Sequence, residues 1–354
     1  MRLFLDASVV RPPLAGVQLS VRHEALALLA QRQDWEVAVL SHDEVLNRAA
    51  AAAGAGTGGL PRAARATAGR ILWQQLALPG ILRRRGADVL HALAYTAPLR
   101  CPVPYALNVH DLIALDHPEL CSRLNAWHMR ALLPGSVRRA AACIVSSGFV
   151  ADGVRQRFGL PAARLHRVPL GVEAERFAES APRPAWVARL TDRPYLLFVG
   201  NLEPKKGLAT LLESYAGAAE RLGCDLLLAG RPAWRCGRFL RQARQYPGPG
   251  RIHLPGRVAA ADLPGLYQHA WAFVFPSVTE GFGMPVLEAM AAGVPVVHSD
   301  HPALVETAGG RPRPCGPNWS RRAGPGPGNC RGRPGPRRSA PSWQRSPAER
   351  SATV

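Results

Sequence analysis

The sequence predicts an α/β fold made of two doubly wound parallel sheets. Three observations carry that prediction. Short apolar runs alternate with longer amphipathic stretches, the signature of repeated βα units. The alternation falls into two series. Between them, positions 173–193 are rich in Pro, Ala and charge and show no strand pattern, as an interdomain connection does. The 354 residues are long enough for two ordinary domains.

In the first series the apolar runs at 2–5, 35–40, 88–91, 105–109, 143–145 and 165–168 are expected to be strands, and the amphipathic stretches 17–30, 123–140 and 150–158 helices. In the second, strands are expected at 195–199, 225–228, 251–254, 272–275 and 295–297. Helices are expected near 208–222, 234–245, 262–269 and 285–292. The expected division is a first domain over 1–175, a linker over 176–192, a second domain over 193–310 and a tail over 311–354. Two doubly wound domains would take a ligand between the carboxyl ends of their strands.

With 47% hydrophobic and 19% charged residues, disorder throughout is excluded. No apolar run approaches the roughly 18 residues that cross a bilayer, and Asp6 interrupts the N-terminal apolar stretch, so the expectation is a cytoplasmic protein. Seven cysteines, odd in number and without a Cys-x-x-Cys spacing, argue against a disulfide framework or a zinc knuckle. The net charge of +19 is lopsided: ten arginines and one glutamate after position 310 supply +9 of it. That segment also holds nine prolines and six glycines without hydrophobic periodicity, and is expected to be a disordered tail.

The glycines at 54, 56, 58 and 59 satisfy a Gly-x-Gly-x-x-Gly spacing but follow alanines instead of a β-branched strand, so a flexible loop is expected there, not a dinucleotide site. The informative segment is Pro276-Ser-Val-Thr-Glu280-Gly281-Phe282-Gly283-Met284-Pro285-Val-Leu-Glu288. It follows a predicted strand, and Pro285 suits the first turn of a helix. Glycines there allow close backbone approach, and free amides at a helix start favour an anion such as a pyrophosphate. Glu280 and Glu288 can both point to one ligand. A second loop after a strand, Gly200-Asn201-Leu-Glu-Pro-Lys205-Lys206-Gly207, would supply positive charge to a diphosphate leaving group.

These segments resemble glycosyltransferase family 4, retaining enzymes of the GT-B fold, over about residues 1–310. The strongest motif is Glu-x₇-Glu, Glu280 to Glu288; supporting matches are the Gly200–Gly207 loop, Val109-His110-Asp111, Asp88-Val-Leu-His91, Val168-Pro-x-Gly171-Val172 and Gly16-Val17. The resemblance implies an N-terminal acceptor-side domain and a C-terminal nucleotide-sugar domain. It makes Glu288 the partner of the donor ribose and Glu280 a contact to the transferred sugar. Phe282, Gly283 and Met284 would offer main-chain amides, with Gly281 in the same loop. Lys206 and Lys205 would meet the diphosphate, Lys205 where many relatives carry arginine. Asn201 stands where some relatives have a further cation, which weakens the phosphate grip there. His110 would face the transferred sugar, and Gly16 would belong to the glycine loop near the diphosphate. His110, Lys206 and Glu280 are thus the expected catalytic group.

No Asp-x-Asp or Glu-x-Asp pair occurs, so a metal-free enzyme without cofactor is expected. A retaining glycosidase would need two carboxylates flanking one glycosidic bond. Two glutamates that straddle a glycine loop suit a nucleotide sugar better. The implied reaction is transfer of a hexose, with GDP-mannose the favoured donor, to a glycan or lipid-linked acceptor. Arg62, Arg65, Arg70 and Arg83 to Arg85 surround an apolar stretch containing Trp73. This is consistent with peripheral contact to the inner face of a membrane, or with packing on the first sheet; Pro79 is expected to break the helix.

Two other functions compete with an active transferase. One is a nucleic-acid binder working through its arginines, which deletion of the tail would separate from sugar transfer. The other is an inactive transferase. The family pattern stops near position 310, and the residues beyond it have the composition of a GC-rich reading frame translated out of register. The expectation is a frame change near codons 308–312 that leaves the second domain without its closing helices.

Overall fold

The computed structural model describes residues 1–309 except 13, 15 and 32–34. The first domain is a seven-stranded sheet of β1 (Arg2–Asp6), β2 (Glu36–Leu40), β3 (Gly56–Gly58), β4 (Val89–Ala92), β5 (Tyr105–Val109), β6 (Ala142–Val145) and β7 (Leu165–Arg167). The second has five strands: β8 (Tyr195–Val199), β9 (Asp225–Ala229), β10 (Ile252–Gly256), β11 (Ala272–Phe275) and β12 (Val296–His298). The orders are β3-β2-β1-β4-β5-β6-β7 and β10-β9-β8-β11-β12, and every pairing is parallel. Strand order reverses between β1 and β4 and between β8 and β11. Each reversal opens a crevice at the carboxyl edge, where the connecting helices leave to opposite faces.

The cores follow from the apolar runs. Tyr195, Phe198, Phe273 and Phe275 are buried on the central strands of the second sheet, and Leu5, Leu40 and Leu90 on those of the first. Strands covered on both faces need such continuous apolar sequence. Helix Leu208–Leu222 seals the second sheet through Leu208, Leu211, Tyr215 and Ala219, spaced as one helical face. The first helix, Val17–Ala30, buries Val21 and Ala25 against the first sheet.

Three local expectations change. The stretch around Gly54–Gly59 is not a free loop: β3 pairs in parallel with Ala38, Val39 and Leu40. Backbone pairing needs no side chain, and a Cβ on Gly58 would come within 2.1 Å of Leu40 Cδ2. Pro79 does not end its helix. Thr67–Leu72 continues through a wide π turn, Trp73–Ala77, into Leu78–Arg84. Proline lacks the donor for the preceding turn and crowds its carbonyl, and the wider turn accommodates both. Within 173–193 lie two short helices, Ala174–Ala178 and Ala185–Leu190. The expected tail, with its proposed frame change, lies outside the described residues.

Candidate active site

The loops after β8 and β11 meet because residue 207 is a glycine. Its φ of 64° is left-handed, and a Cβ there would lie 1.9 Å from the Pro276 carbonyl oxygen. The approach lets Val278 N–H donate to Lys205 O at 2.8 Å and puts Ser277 Oγ 3.1 Å from the same oxygen. It also seats Lys206 Nζ 2.5 Å from Glu280 Oε1 and 4.9 Å from the Phe275 ring centre. Ser277 Oγ lies 2.6 Å from Glu280 Oε1.

Burial pushes the Glu280 carboxyl up, but Lys206, Lys205 and the Ser277 hydroxyl outweigh it and hold the group below its ordinary range, hence ionised. Lys205 is pulled down by burial and carried above its usual range by Glu203, Asp111 and Glu280. Its Nζ is 3.4 Å from Glu203 Oε1. Asn201 is not a cation, but Arg231, in the loop after β9, donates from Nε to Asn201 Oδ1 at 3.3 Å. A positive charge from a neighbouring loop therefore stands at the place left neutral in the sequence.

Glu280 leads into Gly281, Phe282 and Gly283, and Gly283 starts helix Met284–Ala291. The amides of Phe282, Gly283 and Met284 donate to no acceptor among the described residues, and the helix start adds its dipole. Glu288, on that helix, accepts from the Tyr267 hydroxyl at 2.8 Å; burial raises its pKa, partly offset by Tyr267 and Arg176. It is joined to Tyr267 and not to the lysines.

Across the cleft, His110 follows β5. It is buried, donates from Nε2 to Leu93 O at 2.8 Å, and packs edge-on against Tyr95 with ring centres 5.4 Å apart. Burial lowers its pKa, so the imidazole is neutral at neutral pH. A Cβ on Gly281 would lie 1.8 Å from His110 O: this glycine lets the two domains touch. The Gly281 carbonyl accepts from Ser147 Oγ at 2.7 Å. Gly16 precedes helix Val17–Ala30 with φ 51°. Two residues upstream, Leu14 O is reached from the second domain by Arg257 Nη2 at 3.5 Å.

Lys205, Lys206 and Glu280 thus form one cluster that touches the His110 backbone through Gly281, while Glu288 stands on a different contact and Gly16 lines the first domain's edge. Sequence reasoning missed Tyr95, Tyr267, Ser277 and Arg231. Tyr95 carries a positive φ of 57° and donates to Asp111 Oδ2 at 2.5 Å; a non-glycine residue held there is a strained position that no sequence pattern discloses. Among the described residues no group of three or more His, Cys, Asp or Glu side chains is placed to hold a metal ion.

Known proteins resemble both halves of the chain. The model for Glycosyltransferase Family 4 matches residues 15–176, and that for Glycosyl transferases group 1 matches 185–310. The chain is 31% identical over 205 residues to O-antigen chain mannosyltransferase B of Escherichia coli, covering 56% of this chain and 54% of that protein. It is 31% identical over 202 residues to the GDP-mannose-dependent alpha-(1-6)-phosphatidylinositol monomannoside mannosyltransferase of Mycobacterium tuberculosis, covering 51% and 50%. The chain therefore spans about half the length of the curated relatives it matches. Among solved structures, Anabaena HepE in complex with UDP-glucose superposes with a TM-score of 0.63 at 18% identity, covering 86% of this chain and 82% of that one, a likeness of fold. The first sheet is thus a Glycosyltransferase Family 4 domain and the second a Glycosyl transferases group 1 domain, and the described residues share the GT-B fold of the solved neighbour.

Proposed function

We propose that this chain is a retaining, metal-independent glycosyltransferase that moves a hexose from a nucleotide diphosphate sugar to a glycan or lipid-linked acceptor. The observation that carries the reading is the Lys206–Glu280 pair, with Lys205 beside it, at the carboxyl edge of β8 and β11 opposite His110. When the bond between the anomeric carbon and the diphosphate breaks, its electron pair leaves on a phosphate oxygen. Lys206, Lys205 and the amides of 282–284 are the groups able to meet that charge. Glu280, kept ionised, accepts hydrogen bonds from the sugar's hydroxyls, and neutral His110 offers Nδ1 as an acceptor on the opposite side. Glu288, at the Tyr267 hydroxyl, would take the ribose.

The mannosyltransferase names of the relatives favour mannose, and GDP as the nucleotide. Their names point to an O-antigen chain and a phosphatidylinositol mannoside as acceptors, so both acceptor classes stay within the proposal. No described helix is long and apolar enough to cross a membrane. Trp73 is packed inside the first domain, but Leu72 and Leu76 on the same helix are exposed, as are Arg62, Arg65, Arg83 and Arg84 in the same stretch of sequence. A peripheral contact with an anionic membrane surface at the cytoplasmic face uses those leucines and arginines.

The deciding experiment measures sugar release and transfer from GDP-mannose, UDP-glucose and other nucleotide sugars, together with the anomeric configuration of the product. Transfer with retention from one donor is expected. Inversion, or turnover of none of the donors, would remove the reading.

A further inference from the structure

At the end of the second domain opposite the proposed reaction centre, the sheet gathers arginines. β10, β9 and β8 are parallel neighbours. Arg251, just before β10, Asp225, the first residue of β9, and Arg193, two residues before β8, therefore stand side by side on the amino edge. The length of β8 separates that edge by about 15 Å from the loop that carries Lys205 and Lys206. The edge borders a cavity of about 320 Å³, which Arg189 and Thr191, at the end of helix Ala185–Leu190, also line. Its size falls at the lower end of small-molecule sites, roughly 300–1,000 Å³.

The one buried carboxylate of this cavity is already engaged on both oxygens. Asp225 Oδ1 accepts from the Arg251 amide at 3.0 Å, and Oδ2 lies 2.8 Å from His253 Nε2. Burial raises its pKa, but hydrogen bonds from His253, Thr191 and the Arg251 amide outweigh that and hold the group below its ordinary range, hence ionised. Arg193 Nε reaches Asp225 Oδ1 only at 3.6 Å. Among the described residues the guanidiniums of Arg189, Arg193 and Arg251 donate no hydrogen bond, and those of Arg189 and Arg251 have no carboxylate within ion-pair distance. Asp192 also lines the cavity; it is exposed and pairs with none of them. A fourth guanidinium reaches the same turn. Arg183 donates from Nη2 to Thr191 O at 2.7 Å, lies against the Tyr195 ring, and leaves a buried Nε without a partner.

Four like charges around one engaged carboxylate repel one another, and an entering anion relieves the repulsion. Neighbouring strands lie about 4.8 Å apart, so Arg193 and Arg251 straddle Asp225 across about 10 Å, a span that two long side chains can close over one group. A guanidinium fork takes two oxygens at once, and three forks suit an anion with more oxygens than a carboxylate has. We propose that this cavity binds a small phosphate-bearing molecule, held by Arg189, Arg193 and Arg251 above Asp225. The site is separate from the reaction centre and does not rest on the transferase reading. Arg189 and Arg193 end the connection between the domains, and Arg251 leads into the second sheet; the bound phosphate ties the one to the other. The source is either inorganic phosphate or a sugar phosphate.

The test titrates the full chain with inorganic phosphate and with glucose 6-phosphate. Saturable binding is expected, with a rise in melting temperature. The double variant Arg189→Gln, Arg251→Gln removes two guanidiniums that no group of the protein holds, and should weaken binding by roughly tenfold or more. Arg189→Gln alone serves as a second variant should the double one fail to fold, with a smaller loss of the same sign. Lys206→Ala, in the cleft, should leave the phosphate affinity within about twofold of the wild type. Absence of saturable binding by either probe, or affinity unchanged in both arginine variants, would overturn the proposal. So would loss of binding in Lys206→Ala, because the phosphate would then sit in the cleft. Tighter binding of glucose 6-phosphate than of inorganic phosphate assigns the sugar phosphate; equal affinity assigns the free ion.

Discussion

At the scale of single residues, Lys206 and Glu280 are each other's condition. The lysine keeps the glutamate ionised in a buried site, and the glutamate fixes the ammonium that the proposed function assigns to a leaving diphosphate. Lys206→Ala is expected to lower turnover by about 2–4 kcal/mol, or roughly 30- to 1,000-fold, the range for a principal electrostatic contact. Steady-state transfer kinetics check it, and wild-type turnover would dismiss the lysine's role. Glu24 is a different kind of residue. On helix Val17–Ala30 it accepts from Asn108 Nδ2 at 2.6 Å, and Asn108 Oδ1 accepts from His91 Nε2 at 2.8 Å. Burial pushes the Glu24 carboxyl up to about 7, with Asn108 opposing. An acid with a raised folded pKa binds its proton more tightly in the native state than in the unfolded chain. Its contribution is therefore complete below about 4.5 and is lost as the pH rises to about 7. Allowing for partial exposure, the loss is about 1–3 kcal/mol. Urea melts at pH 5 and pH 8 should show that difference in the wild type and a flatter profile in Glu24→Gln; parallel profiles would count against it.

At the scale of elements, the strands were legible because parallel strands buried on both faces must be apolar runs bounded by polar turns. Tyr105–Val109, Tyr195–Val199 and Ala272–Phe275 stand where the sequence puts them. β3 was not legible, since Gly-Thr-Gly has no side-chain signal and is held by backbone pairing to β2. Nor was the continuous helix through Pro79, which depends on a π turn. The site loops were legible as motifs, but the partner of Glu288 was not: Tyr267 comes from a helix remote in sequence, and only packing brings it there. The loop junction at Gly207 gives a test at this scale. Gly207→Ala puts a methyl group against Pro276 O at a left-handed φ, so a loss of at least about 1–2 kcal/mol in stability is expected, together with a displaced Lys206. Denaturation and nucleotide affinity measured side by side check it; a variant with both unchanged would mean that the loops need no such approach.

At the scale of the whole molecule, hydrogen bonds, an ion pair and one ring contact among the described residues tie the two sheets together around the cleft. Glu306, on helix Pro302–Thr307 of the second domain, accepts from Gly148 N at 3.0 and 2.7 Å, so that it caps the Gly148–Phe158 helix of the first, and pairs with Arg167 Nη1 at 2.8 Å. Ser147 to Gly281 and the edge-on rings of Phe149 and His301 lie alongside. A carboxylate at a helix N-terminus is stabilising by about 0.3–2 kcal/mol, too little to fix two domains rigidly and enough to bias closure. Glu306→Gln keeps the shape and removes the charge. It is expected to loosen nucleotide binding several-fold and to make that affinity less salt-sensitive, while each domain's core stays intact; binding isotherms at low and high salt check this. Metal dependence is decided at the same scale. Charge on a departing diphosphate has to be met by something, and the groups that converge on the cleft are Lys205, Lys206, Arg231 and the amides at the start of helix Met284–Ala291. Carboxylates near them are engaged with those cations and are dispersed over both domains, whereas a hard divalent ion asks for several oxygens on one centre. Transfer is therefore expected to continue in excess EDTA at its full rate. Loss of activity on chelation that added Mn²⁺ or Mg²⁺ restores would show that a metal, not the lysine pair, carries the leaving-group charge.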